Sequence, residues 1–188
     1  EDIALANTAL DLLGQARALL SHVGDEDKLA YLREEREFHN VTLAELPKGD
    51  FAFTVLRNFL LSSWALLMWQ RLATSSDEQL SAIAGKAVKE ARYHREHAAD
   101  WVVRLGDGTD ESTRRMASAL ERLWPYCAEL FDADEIDRGA QASGLGPAWS
   151  ALEEAWRADV SAVLQEAGMA LPAEALADSG FFCEGPLL

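Results

Sequence analysis

The sequence predicts an all-α helical bundle, on three observations. Apolar residues recur at alternating steps of three and four over long stretches, the spacing of one helix face. No stretch alternates apolar and polar residues beside a turn signal, so no strand is expected. The longest apolar segments are joined by short turns, which make consecutive helices antiparallel neighbours.

The first helix is expected over residues 3–23. Leu5, Ala9, Leu12, Ala16, Leu19 and Val23 form one seam, and Ala6, Leu10, Leu13 and Leu20 widen it into a face broad enough for several neighbours. Gly24 ends it, and Asp25, Glu26 and Asp27 put negative charge at the start of a second, heavily charged helix reaching about Asn40. ELPKGD at 45–50 reads as a loop. Phe51 to Leu72 is apolar in nearly every direction and is expected to be the most buried helix. The next begins with Ser76 and Gln79 at capping-box spacing. Its seam runs Leu80, Ala84, Ala87, Ala91, His94, Ala98, Trp101, Leu105, with a histidine in the middle of hydrocarbon. Thr109 in GDGTD can cap a helix carrying Met116, Leu120, Leu123, Trp124, Cys127, Leu130 and Phe131, kinked at Pro125. The acidic DADEIDRG suits a short helix or turn. Pro147 then sets up a last helix packing through Trp149, Leu152, Trp156, Val160, Val163 and Leu164, and residues 173–188 read mostly as loop.

At 188 residues, 49% of them hydrophobic, the chain suits a single domain with a sizeable core, 1–188. Its formal charge of -15, from 17 Lys and Arg against 32 Asp and Glu, argues against nucleic acid as a partner. The nearly apolar run Phe59 to Trp69 is well short of the roughly 20 residues that cross a bilayer. No secretory signal pattern is visible, and Cys127 and Cys183 fall in no metal-ligand spacing, so a reduced, cytoplasmic protein without a membrane partner is the simplest expectation.

The chemistry to test is a dimetal carboxylate site. Such a site in a bundle takes Glu-x-x-His from each of two helices and a carboxylate from each of two others. Three residues before His22, His39, His94 and His97 stand Leu19, Arg36, Ala91 and His94, so the motif is absent. Glu35 with His39 and Glu90 with His94 are spaced by four; the two pairs could converge with Asp11, and these four residues are the set a divergent dimetal oxygenase or ferroxidase would use. Pairs at that spacing are more often ordinary contacts on a helix flank. His94 is expected to bond a side chain, Glu90 first. No Walker loop, dinucleotide fingerprint or nucleophile elbow occurs, and the carboxylates of Asp132, Asp134, Glu135 and Asp137 lack calcium-loop spacing and read as a solvated turn or docking surface.

ALDLLGQAR (9–17), KEARYHREHAADWVVRLGDGTDES (89–112) and LWPYCAELFDADEID (123–137) together resemble the structural, non-catalytic subunits of multicomponent phenylacetyl-CoA epoxidases, in order over most of the chain. The resemblance implies a ferritin-like four-helix core with additional helices, here without an N-terminal helix and part of the C-terminal region. It implies pairing with a homologous catalytic subunit that carries a di-iron centre, and indirectly with a reductase and small accessory subunits. A coenzyme A thioester contact at the subunit interface is a further expectation. Set against the catalytic relatives, the Glu-x-x-His positions fall on Leu12 and Gln15 and on Ala91 and His94, and the carboxylate of the long buried helix falls on Ser62 or Ser63. Only His94 keeps a ligand-capable side chain of the matching type. Leu12 is expected to put hydrocarbon where an ion would sit. The chain is therefore expected to hold no metal or other cofactor, and to have no catalytic residues.

Overall fold

The computed structural model describes residues 1–172, and every described element is helical. In order they are α1 (Asp2–Val23), α2 (Glu26–Tyr31), a 3-10 turn (Glu35–Glu37), α3 (Thr42–Glu45), α4 (Phe51–Leu72), α5 (Glu78–Gly106), α6 (Asp110–Leu123), a 3-10 segment (Trp124–Phe131), α7 (Glu135–Ala142), a 3-10 turn (Trp149–Leu152) and α8 (Glu153–Glu166). Residues 173–188, expected as loop, and Cys183 with them, lie outside the described residues.

α4 is the axis of the bundle. Asp50 starts it by accepting the Phe53 backbone N–H at 2.9 Å. By length and composition this helix could cross a membrane. Instead it spends its hydrocarbon on its neighbours: Phe53, Val55, Leu56, Phe59 and Leu60 are buried among Val102 of α5, Met116 and Leu123 of α6, and Trp156, Val160 and Leu164 of α8. Trp156 is fully buried, and its Nε1–H donates to the Leu60 carbonyl at 3.0 Å, so the large ring enters the core without orphaning its polar atom.

α5 runs antiparallel to α4. Phe51 meets Trp101 edge-on at 5.1 Å, the Arg95 guanidinium lies 5.6 Å from the Phe59 ring, and Trp69 clusters with Ala84 and Ala87. The alanines of the α5 seam permit this close approach, and Ala84, Ala87, Ala91, His94 and Ala98 are all buried as their spacing requires. At the far end Gly106 sits where a Cβ would come within 2.6 Å of the Ala167 carbonyl oxygen, so only glycine lets the ends of α5 and α8 meet.

Four expectations need correction. α5 is capped by Asp77, not Ser76: the Asp77 carboxylate accepts the Leu80 N–H at 2.8 Å, while Ser76 bonds the carbonyls of Ser143 and Gly144 in the turn after α7. α2 stops at Tyr31 rather than about Asn40. The run Arg33 to Glu37 has no apolar face to bury, and the Arg33 side chain turns back to donate to the carbonyls of Leu29 and Glu37. Pro125 does not kink a continuing α-helix; α6 ends at Leu123 and the chain proceeds as a 3-10 segment that buries Trp124, Cys127, Leu130 and Phe131. Pro147 precedes a 3-10 turn, and the last α-helix opens only at Glu153.

Candidate functional site

α1 packs against α5 with a face rotated away from the seam its apolar residues suggest, keeping Leu5 and Leu19 half-buried. Leu10, Leu12, Leu13 and Val23 are exposed, whereas Gln15 is buried and Asp11 and His22 are half-buried. The inward side mixes Thr8, Asp11, Gln15 and His22 with half-buried Leu5, Ala18 and Leu19, and its polar members meet polar residues on α5.

Four pairs cross this seam. Asp11 Oδ2 and His94 Nε2 lie 2.9 Å apart, and the Gln15 carboxamide donates to Glu90 Oε2 at 3.0 Å. Further along, His22 Nε2 meets Asp77 Oδ2 at 2.9 Å, and His97 Nε2 lies 3.4 Å from Glu1 Oε2. Rising numbers on α1 meet falling numbers on α5, as antiparallel helices require. The Leu80 backbone N–H, with His22 beside it, holds the Asp77 carboxyl below the usual carboxylate range. Tyr93 stacks on His97 at 6.0 Å and meets His94 edge-on at 6.3 Å, while Lys86 reaches Glu90 at 3.8 Å.

The α4–α5 register places Ser63 level with Ala91 and His94. Ser63 is 1% exposed and its Oγ has no hydrogen-bond partner among the described residues, an orphaned hydroxyl in the core. Gln15, Ser63, Ala91 and His94 thus come to one level of the bundle. Leu12 does not join them: at 51% exposure it fills no buried space, and Asp11, one residue and about 100° around the helix, takes the inward position. His94 bonds Asp11 across the seam rather than Glu90, because Glu90 is engaged by Gln15. Glu35 and His39 are exposed on the segment after α2 and share no bond with Glu90 or His94, so the four-residue set of the alternative reading is not assembled.

Two divalent ions need several anionic and imidazole donors converging on one space. Here Asp11 and His94 satisfy each other, Gln15 is neutral and tied to Glu90, and Ser63 offers one hydroxyl. Among the described residues no three of His, Cys, Asp and Glu gather as a metal ion would require. The residues present do not fit a dimetal centre. Sequence reasoning singled out Asp11, Glu90 and His94 but missed Gln15 with Glu90 and His22 with Asp77. The available signal was the spacing: 11 and 15 on one helix mirror 94 and 90 on the other.

The phenylacetic acid catabolic protein family matches residues 1–181. The chain is also 47% identical over 179 residues to a subunit of the 1,2-phenylacetyl-CoA epoxidase of Escherichia coli (strain K12), covering 92% of this chain and 72% of the relative. With a match along nearly its whole length and that degree of identity, this chain belongs to the phenylacetic acid catabolic protein family.

Proposed function

We propose that this chain is a non-catalytic structural subunit of a multicomponent epoxidase acting on phenylacetyl-CoA, working in the cytoplasm. Its role is to stabilise and position a homologous catalytic subunit. That partner's di-iron centre supplies the insertion of one oxygen atom of O2 into the aromatic ring, with electrons from a reductase and with small accessory subunits in the assembly. The observation that carries the reading is the Asp11–His94 pair: the one ligand-type side chain kept on the α5 seam is already satisfied by a carboxylate from α1, leaving no open coordination. The likeness to the E. coli subunit supports the choice of assembly and substrate. Contact with the coenzyme A thioester at the interface belongs to the same proposal.

The test is metal analysis of the isolated chain beside that of its complex, with co-purification from cells grown on phenylacetate. The expected result is far below one iron per isolated chain, together with retention of the catalytic subunit. Stoichiometric iron in the isolated chain, lost in Asp11→Asn and His94→Gln variants that remain folded, would overturn the proposal.

A further inference from the structure

A second feature lies on α6, apart from the α1–α5 seam. α6 buries Met116, Ala119, Leu120 and Leu123, which leaves Arg114, Arg115, Ser118 and Arg122 on its outer side. Beside the start of α4 these residues, with Asp50, Phe53 and Ala119, line a concavity of about 160 Å³. Three arginines gather there in a chain whose formal charge is -15 with only 17 basic residues, so the grouping runs against the overall composition.

The cations differ in what holds them. Arg114 and Arg115 both grip Glu111, at 2.8 and 2.7 Å, and Arg115 also lies 3.7 Å from Asp50. Arg122 has no ion pair among the described residues; its guanidinium stands 4.8 Å from the centre of the buried Phe53 ring, which positions it without neutralising it. The exposed Ser118 hydroxyl, one turn before Arg122, lines the same concavity. Counting Glu111 with the lining groups, three cations face two carboxylates and one positive charge is left over. Asp50 already occupies the α4 N-terminus, so the surplus resides in the arginines.

From this we infer that the α6 concavity is a binding site for a phosphate monoester or free phosphate. A planar guanidinium held over a ring, an exposed hydroxyl and two neighbouring guanidinium groups match the several acceptor oxygens of a tetrahedral dianion. The concavity is smaller than the roughly 300–1,000 Å³ of sites that engulf a whole drug-sized ligand, so it takes a phosphate end group with the rest of the molecule outside. The inference does not depend on the partner or metal content of the chain.

The experiment is thermal melting and isothermal titration of the full chain with inorganic phosphate, against chloride at equal ionic strength. Phosphate at ten times its dissociation constant is expected to raise Tm by roughly 3–6 °C. Arg122→Met, which keeps hydrocarbon over Phe53, is expected to weaken binding by about tenfold and Ser118→Ala by a few-fold, without changing the unliganded fold. Arg71→Ala, an exposed arginine elsewhere, is expected to bind as the parent does. Coenzyme A compared with its 3′-dephospho form identifies the source: a gain confined to the 3′-phosphorylated form assigns the ester, and a gain with inorganic phosphate alone assigns the free anion. Equal shifts with chloride, or full binding by Arg122→Met, would overturn the inference.

Discussion

His94 is held by Asp11 at 2.9 Å on the α1–α5 seam, and its side chain is only 6% exposed against 37% for that of Asp11. Removing the imidazole leaves a carboxylate that water can reach; removing the carboxylate leaves a buried ring nitrogen that water cannot. His94→Gln and Asp11→Ala are therefore expected to cost unequal amounts, the second more, each about 1–3 kcal/mol in urea melts. Their double mutant should show a coupling of about 0.5–3 kcal/mol, and strict additivity would show that the pair carries no energy of its own. Ser63 gives the opposite prediction. Its hydroxyl lost its water on burial and gained no partner, so Ser63→Ala should leave the protein as stable or raise it by about 1 kcal/mol. Glu129 accepts the Thr42 N–H at 2.7 Å, and burial pushes its carboxyl above the usual glutamate range. A raised carboxyl favours folding below its ordinary pKa and loses that contribution as pH rises through the raised value. Glu129→Gln keeps an acceptor for Thr42 without the buried charge, so its Tm should exceed the parent's at pH 7 and converge with it near pH 4.

At the scale of elements, helix starts carry specific chemistry. Asp77 both caps α5 and faces His22 of α1, and its carboxyl is held below the ordinary aspartate range by the Leu80 N–H first and His22 after it. A depressed carboxyl stabilises above its ordinary pKa and gives that up as pH falls through the depressed value. Asp77→Asn, which keeps capping capacity but not charge, should therefore lose its deficit in Tm relative to the parent as pH falls below the ordinary aspartate range. α4 was legible to the residue, from Phe51 to Leu72, because a loop with proline and glycine precedes a dense apolar stretch. The α5 seam was equally legible, since alanine and histidine at steps of three and four have one reading. α2 was overextended because charge alone does not distinguish an exposed helix from an exposed turn. α1 was found as a helix but with its inward side only partly placed: apolar spacing brings Leu5 and Leu19 in, whereas the turn that buries Gln15 and exposes Leu12 was decided by partners 75 to 83 residues away. For the same reason Gln15 was legible as a ligand position but not as the partner of Glu90.

For the whole molecule, the core is concentrated around α4, and Trp156 is its largest fully buried side chain. Trp156→Ala should cost about 3–5 kcal/mol, combining a cavity with loss of the indole's bond to the Leu60 carbonyl, and calorimetry should register it as a single lowered transition. α1 stands outside this arrangement. Its hold on α5 combines the four polar pairs with half-buried Leu5, Ala18 and Leu19, and no apolar residue of α1 is fully buried. Detaching it exposes little new hydrocarbon, and urea acts in proportion to surface newly exposed. In native-state hydrogen exchange the α1 amides should follow a sub-global opening whose free energy barely slopes with urea, whereas α4 amides follow the steep global line. The heat capacity of that opening should be correspondingly small, so warming would loosen α1 without the curvature expected of a hydrophobic core.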